Sequence, residues 1–341
     1  MGGEDNLMVP GARPTYAVIA KTAGVSEATV SRVLNGDESV HPERTRRVQE
    51  AVEKLGYKKN RVASALASGR TGLIAVVIDD DLSVFSDPFW GTVTSGVSRV
   101  LAENGLHTVL MVSPVGSLEG GVAHYLKSGE VDGAIFFVLH SDALVNDLKK
   151  RGLPLVITGT PHSSADIPFV DTDNFGGAYT ATKHLMSKGC KKVGIITGDI
   201  GTTAAKQRLD GYLQAFRESG TLPVKGLICE GDYSFESGKK HAQVLMDAHP
   251  DLDGIFASND LMAMGAITVL EAAGKTVPGH VRVVGFDDAL IAQTSRPALT
   301  TIRQDVVALG EAAGNLIIAQ LNGQEFEPKI LPTELVVRES A

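Results

Sequence analysis

Side chains able to grip a small polar molecule recur where short apolar runs end. Asp79-Asp80-Asp81, Gly159, Thr197-Gly198-Asp199, Asp232-Tyr233, Asn259-Asp260 and Asp287-Asp288 each follow such a run. Paired carboxylates and amides bond vicinal hydroxyls, and a tyrosine ring stacks on the C–H face of a sugar, so the set suits a polyhydroxy ligand. Each member also has a plainer reading. Asn259 and Asp260 read as a helix N-cap pair and Asp287 as the cap of the next helix. Tyr233 reads as surface loop, Phe89 and Trp90 as core, and Asp79–Asp81 as a solvated turn. A second set lies near the N-terminus. Ala28, Thr29, Ser31 and Arg32 take outward positions on a short helix whose Val30, Val33 and Leu34 turn inward. Short side chains let a helix approach base edges, and an arginine bonds guanine O6 and N7 together. A three-helix scaffold that binds protein fits the same pattern.

Catalytic constellations fail on inspection. Ala273-Gly274-Lys275-Thr276 ends like a phosphate loop, but Val269 stands where the earlier glycine is required. No Gly-x-Gly-x-x-Gly follows the first strand and no Gly-x-Ser-x-Gly elbow exists. Cys190 and Cys229 are too few for a disulfide framework or a four-ligand zinc site, and point to a reducing compartment. The nine histidines show no metal spacing, and His184 and His241 read as single surface residues on helices. Adjacent carboxylates such as Asp287-Asp288 point apart at a strand end, which opposes acid–base catalysis. A non-enzyme without metal or cofactor is expected.

The elements that must hold these residues are of two kinds. From residue 73 onward, apolar runs of strand length alternate with helical stretches about every thirty residues. The runs are Leu73–Ile78, His107–Val112, Gly133–Leu139, Leu153–Thr158, Val193–Thr197, Leu227–Glu230, Gly254–Ala257 and Val281–Phe286. They are apolar throughout, as strands buried on both faces are. Trp90–Asn104, Asn174–Lys188 and Lys206–Ser219 are among the helical stretches. This βαβ series predicts an α/β body of doubly wound parallel sheets, with a second lobe opening near residues 170–174. Ligands of such sheets sit beyond the carboxyl ends of the strands.

The first sixty residues instead predict three short helices. Thr15 is placed to cap the first, and Ala23-Gly24-Val25 makes a tight turn. Ser26 caps a second helix, Glu27–Leu34, which Asn35-Gly36 stops. A third starts near Pro42, with Val48, Ala51, Val52 and Leu55 on one face. Helix, glycine turn, helix is the helix-turn-helix arrangement. Charge separates along the same boundary. Residues 11–70 carry eleven Lys/Arg against six Asp/Glu, whereas residues 71–341 carry 21 against 32. A basic head on an acidic body suggests nucleic-acid contact at one end. A single Trp and 5% aromatics oppose a base-stacking platform for single strands. No signal peptide or membrane-length apolar run is present, so a cytoplasmic protein without membrane contact is expected.

The segments AGVSEATVSRVLNG (23–36) and VHPERTRRVQEAVEKLGYKKNRVASAL (40–66) closely resemble the DNA-binding head of the lactose-repressor (LacI/GalR) family of bacterial transcription regulators. The resemblance runs from Arg13 to Arg338. It implies a disordered tail (1–12), a helix-turn-helix domain (13–58), a hinge helix (59–71) and an effector-binding and dimerisation body (72–341). The body resembles periplasmic sugar-binding proteins. Lobe one is expected at about 72–171 and 303–330, and lobe two at about 172–302 and 331–341.

Carried over onto matching positions, Thr15, Tyr16, Ser26, Glu27, Ala28, Thr29, Ser31, Arg32 and Asn35 are expected at DNA, with Lys59, Asn60, Ala63 and Leu66 in the hinge. Leu66 would wedge into the minor groove at the centre of a pseudo-palindromic operator read by a homodimer; its alternative is a core-facing helix residue. Lys59 stands where the family has Pro, and Arg44-Thr45 reverses its usual order. The effector contacts implied are Phe89, Trp90, Gly159, Thr202, Lys206, Arg208, Tyr233, Asn259, Asp287 and Gln304. Lys206 is matched to the family's sugar-gripping arginine, with Arg208 two residues on, and Gly159 to a frequent Asp. Extra residues around Val84-Phe85 lengthen one loop. The expected function is repression of carbohydrate-utilisation genes gated by a mono- or oligosaccharide. The alternatives are a purine co-repressor system and a sugar-binding protein without DNA function.

Overall fold

The computed structural model describes residues 14–34, 36–37, 39–57, 69–79, 87–137, 140–163 and 166–341. Asn35, Lys59, Asn60, Ala63 and Leu66, with the tail and the Val84-Phe85 loop, lie outside them. The chain forms two compact units, Met1–Thr71 and Gly72–Ala341.

In the first unit, α1 (Tyr16–Ala23), α2 (Glu27–Leu34) and α3 (Pro42–Leu55) enclose a small core. Ile19, Ala20, Ala23, Val30, Val48 and Ala51 are buried in it, with Tyr16, Val33, Leu34, Leu55 and Tyr57 at its edge. Gly24 closes α1 in the left-handed conformation (φ +63°), which costs a residue with a Cβ more than it costs glycine. Ser26 Oγ accepts from Thr29 N–H at 3.2 Å and caps α2. Thr15 occupies the N-cap position of α1 but makes no side-chain capping bond. The Arg47 guanidinium of α3 donates to the Gly24 carbonyl at 3.0 Å and ties the third helix to the turn.

The second unit holds two six-stranded sheets. Sheet one contains β1 (Leu73–Asp79), β2 (His107–Ser113), β3 (Gly133–Phe137), β4 (Leu155–Thr158), β5 (Phe169–Thr172) and β11 (Lys329–Leu331), in the order β11-β5-β4-β3-β1-β2, all parallel. Sheet two contains β6 (Val193–Thr197), β7 (Ile228–Glu230), β8 (Gly254–Ala257), β9 (Arg282–Asp287), β10 (Thr300–Gln304) and β12 (Thr333–Val336), in the order β12-β10-β9-β8-β6-β7. One edge departs from the expected parallel pattern: β12 runs antiparallel to β10, because the chain returns from sheet one after only Pro332.

Helices cover both faces of each sheet, which is why strands such as β1, β3 and β8 are apolar along nearly their whole length. Ile74, Val76 and Ile78 of β1 pack with α4 (Pro88–Glu103) and α11 (Val306–Leu321). Ala75 and Val77 turn to α5 (Gly121–Lys127) and α6 (Ala143–Lys150) on the other face. Sheet two is covered by α7 (Asn174–Ser187) and α8 (Thr203–Glu218) on one face, and by α9 (Phe235–Ala248) and α10 (Asp260–Ala272) on the other. The chain passes between the sheets at Asp173, Asp305 and Pro332. His184 and His241 are half-buried, contrary to the surface reading, and burial lowers the pKa of both.

Candidate functional site

The residues that gather into one polar cluster stand at strand ends and helix starts of sheet two. Asp287 ends β9 with φ +112°, and its Oδ1 accepts from Gln304 Nε2 of β10 at 2.6 Å. Burial pushes its carboxyl up to about 7; Arg208 and Gln304 oppose that rise and the like charge of Asp87 adds to it. Asp87 belongs to lobe one, where it caps α4 by accepting from Phe89 N–H at 2.9 Å. Its like charge acts on Asp287 from the other lobe.

Arg208 of α8 is 6% exposed. Its Nε donates to Asn174 Oδ1 at 2.8 Å, and an Nη donates to the Ser258 carbonyl. Its guanidinium lies 3.6 Å over the Phe286 ring and 6.0 Å from the Tyr233 ring. Asn174 is held in turn, donating to Asp171 Oδ1 at 2.9 Å, while Thr160 donates twice to Asp171 Oδ2 at 2.8 Å. A buried chain thus orients the arginine: Thr160, Asp171, Asn174, Arg208. Burial raises the Asp171 pKa against these hydrogen bonds.

Tyr233 adopts φ +68°, an uncommon conformation for a bulky residue, and turns its ring against Gly198. A Cβ at position 198 would collide with that ring, so the glycine makes room for it. Tyr233 is hydrogen-bonded to Thr202, and burial raises its pKa. Thr202 is 5% exposed and caps α8, accepting from Ala205 N–H. Asn259 is 2% exposed and both ends of its amide are used: Oδ1 caps α10 at Met262 N–H, and Nδ2 donates to the Tyr233 carbonyl at 2.8 Å. Its place is therefore under the tyrosine, holding the loop. Asp260 is equally enclosed, accepting from Thr301 Oγ1 at 2.6 Å and Ala289 N–H at 2.7 Å, and burial, with Asp287 adding, raises its pKa.

Of the ten effector residues expected, Thr202, Arg208, Tyr233, Asn259, Asp287 and Gln304 come together. Lys206 does not: it is exposed on α8, and Arg208 occupies the place that the alignment by motif gave to it. Two residues separate them, which turns them to opposite sides of α8, and only the inward Arg208 reaches the cluster. Gly159 follows β4 with φ +107°, where a side-chain-bearing residue would be strained. Phe89 and Trp90 open α4, half-buried, their rings edge-to-face at 5.2 Å; Trp90 also stacks on Phe137 of the sheet-one core at 6.4 Å. Asp171 and Asn174 were not among the expected residues. Their signal was a polar Asp-Thr-Asp-Asn run at a sheet crossing, which sequence alone reads as a turn.

On the head, Glu27, Ala28 and Arg32 are exposed on α2, and Thr29 and Ser31 are half-buried there. Ser26 and Thr15 are exposed; Tyr16 is half-buried, edge-to-face with Tyr57 at 6.0 Å. Arg32 Nε lies 3.3 Å from Asp37 Oδ2, which holds the guanidinium close to the C-terminus of α2. A groove of about 490 Å³ runs between α2 and the start of α3, lined by Thr29, Arg32, His41, Arg44 and Arg47. Arg32 from the last turn of α2, with Arg44 and Arg47 from the first turns of α3 and Glu43 among them, makes a mainly basic edge beside the exposed face of α2. Among the described residues no histidine, cysteine, aspartate and glutamate cluster is arranged to hold a metal, and no helix is long and apolar enough to cross a membrane.

Residues 18–60 match the model of bacterial regulatory proteins of the lacI family, and residues 182–341 match a periplasmic binding protein-like domain. The chain is similar to the HTH-type transcriptional regulator CelR of Thermobifida fusca, 35% identical over 96% of this chain and 98% of that protein. Among solved structures it resembles the CelR–cellobiose complex, at 34% identity, 96% and 100% coverage, and a TM-score of 0.75. It also resembles the lac repressor bound to ONPG in its repressed state, at 25% identity, 97% and 100% coverage, and a TM-score of 0.85.

Proposed function

Since the chain belongs to the lacI family of bacterial regulatory proteins, and is a DNA-binding transcription regulator, we propose that it represses carbohydrate-utilisation genes in the cytoplasm and answers to a sugar held between its lobes. The observation that carries the sugar reading is the cluster of Arg208, Tyr233, Asp287 and Gln304. A planar cation, an aromatic face, a carboxylate and an amide converge there, with Asp87 opposite. Carbohydrate hydroxyls need this mixture of donors and acceptors, and the likeness to a cellobiose-bound regulator favours a disaccharide. The protein acts as a homodimer on a pseudo-palindrome, each α2 entering the major groove through Glu27, Ala28, Thr29, Ser31 and Arg32. Lys59, Asn60 and Ala63 belong to the hinge, and Leu66 is its minor-groove wedge. No enzymatic step is assigned to it.

Trp90 is the only tryptophan and stands beside Asp87 at the lobe-one wall, so its emission reports on occupancy. Cellobiose, other mono-, di- and oligosaccharides, and then purines are titrated against it. A saturable response to a sugar, with a matching change in promoter-DNA mobility on a gel, is expected. A response to purines alone replaces the sugar reading, and loss of promoter binding under all conditions removes the repressor reading.

A further inference from the structure

Three side chains from three strand ends meet between the lobes. His140 follows β3 in lobe one, and its Nδ1 lies 3.0 Å from Asp79 Oδ2 at the end of β1 in the same lobe. The His140 main-chain N–H donates to the same oxygen at 3.3 Å. On the other side of the ring, Nε2 lies 3.1 Å from Asp199 Oδ2, which follows β6 in lobe two. Asp199 is fixed through its second oxygen, which accepts from Gly201 N–H at 2.7 Å. A Cβ at Gly201 would come within 2.9 Å of His140 Cδ2, so the glycine leaves room for the ring against the lobe-two loop. Asp79 is buried and its carboxylate faces the ring.

The two halves of this bridge respond differently to a proton. An ionised Asp79 is an acceptor only, so Nδ1 keeps its hydrogen whether the ring is charged or neutral. Nε2 then carries a hydrogen only in the imidazolium. The neutral ring turns a lone pair toward the Asp199 carboxylate, and attraction across the lobes becomes repulsion. The half inside lobe one survives deprotonation; the half that crosses does not. Two other hydrogen bonds cross nearby, from Thr203 Oγ1 to the Thr160 carbonyl at 2.8 Å and from Gln207 Nε2 to Thr160 Oγ1 at 3.0 Å. Neither involves a titrating group.

We propose that His140 is a proton-dependent latch between the lobes: as an imidazolium it holds lobe two against lobe one, and as a neutral ring it lets go. Among the described residues, Asp79 and Asp199 are the charged groups that act on it, and they face it from β1 and β6. The hydrogen bond to Asp79 foremost, with Asp199, lifts its pKa above the ordinary value, against burial. A raised pKa in the latched state means that the latch is fully effective below the pKa of the open state. It is lost as pH rises through the higher pKa of the closed one. The device belongs to the lobes alone and does not depend on which effector binds.

The test uses the full-length protein without effector. A donor dye on α6 and an acceptor dye on α9, attached at introduced surface cysteines, report lobe separation in labelled protein diluted into unlabelled protein. Wild type, His140→Gln and Asp199→Asn are measured from pH 5.5 to 9. The His140 titration itself is followed by NMR of isotope-labelled histidine, its signal identified by its loss in His140→Gln. The wild type is expected to open on raising pH, the open-to-closed ratio changing about tenfold for each unit by which the pKa is raised. Both variants are expected to lose the pH response, because an amide can pair with its neighbour in either protonation state, and Asp199→Asn to lower the His140 pKa. A lobe separation that does not change with pH in the wild type overturns the latch. So does a pH response that survives in Asp199→Asn, whose side chain is half-exposed and whose loss leaves the cores of both lobes untouched. Silence toward every sugar tried would defeat the effector reading and leave this result as it stands.

Discussion

Replacing Arg208 by lysine separates the shape of the guanidinium from its charge. The residue is buried, donates through Nε to Asn174 at 2.8 Å and rests on Phe286 at 3.6 Å. Lysine restores a point charge and cannot keep the Nε bond, the planar stack and a free edge toward a ligand at once. A hydrogen bond to a charged group contributes about 1.5–3 kcal/mol net. The loss of one such bond to a bound sugar therefore weakens it by roughly 10- to 150-fold. A second loss of about the same size falls on folding, because Asn174 Oδ1 is left buried without its donor. The assay is calorimetric titration of the effector found by the Trp90 screen, beside urea unfolding of the same preparation. Promoter binding without effector is the control, since α8 lies in the other compact unit from the head. An Arg208→Lys protein that is folded, binds promoter DNA and binds effector within threefold of wild type would refute the role given to Arg208.

Four further outcomes are expected. Asp287 has a carboxyl pushed up to about 7, and sugar hydroxyls donate to its ionised form, so affinity should fall as pH drops from 8 to 6 and Asp287→Asn should flatten that slope; a profile unaltered by the substitution counts against it. The same raised pKa means that the unfolded chain gives up this proton first, so Asp287 costs stability progressively as pH rises from about 4 to 7, and Asp287→Asn should raise Tm at pH 8 more than at pH 4. Leu66→Ala should cost at least tenfold in promoter affinity, as expected for removing a buried leucine contact of about 1.5–3 kcal/mol, with effector binding unchanged; unchanged promoter affinity in a gel shift rejects the wedge. Arg47→Ala removes the bond to the Gly24 carbonyl and should lower both the melting temperature of the head and its affinity for DNA, and a head as stable as wild type by calorimetry would show the brace to be idle.

The architecture was legible because its driving pattern is local. Runs such as Leu73–Ile78 and Gly254–Ala257 are apolar at every residue, the pattern of strands buried on both faces. The strands that escaped are those whose stability comes from elsewhere in the chain. Thr300 and Thr301 of β10 are fully buried although polar, held by Ser340 and Asp260 from distant positions. Phe169–Thr172, Lys329–Leu331 and Thr333–Val336 have three or four residues each and sit at or next to sheet edges. The strand-end carboxylates, amides and Tyr233 were visible one by one, but what each does depends on a partner far along the chain. Asn259 is used up by Met262 and Tyr233, and no spacing in the sequence separates that from a ligand contact. The choice between Lys206 and Arg208 likewise turns on which side of α8 faces Phe286, a strand 78 residues later.

These dependencies bear on how a signal at the cluster reaches DNA. Three chain crossings join the lobes, and Asp173 of the first stands next to Asn174, which orients Arg208. A ligand that pulls the guanidinium toward itself must strain or release the Asn174–Asp171 bond, and Asp171 in turn holds Thr160 of lobe one. The effector contact and the lobe connection therefore share one buried polar chain. A ligand changes lobe arrangement only by the difference in its affinity for the two arrangements. On the proposed reading Arg208 offers such a difference, since it is tied to lobe two at Ser258 and, through Asn174 and Asp171, to Thr160 of lobe one. By linkage the operator-bound arrangement must alter effector affinity by the factor with which effector alters operator affinity. Asn174→Ala tests that coupling directly. It keeps Arg208, Tyr233 and Asp287 but removes the partner of Arg208 Nε and cuts the chain, so effector should bind more weakly while the ratio of operator affinities with and without it moves toward one. Retention of the full wild-type ratio would place the route between the sites elsewhere.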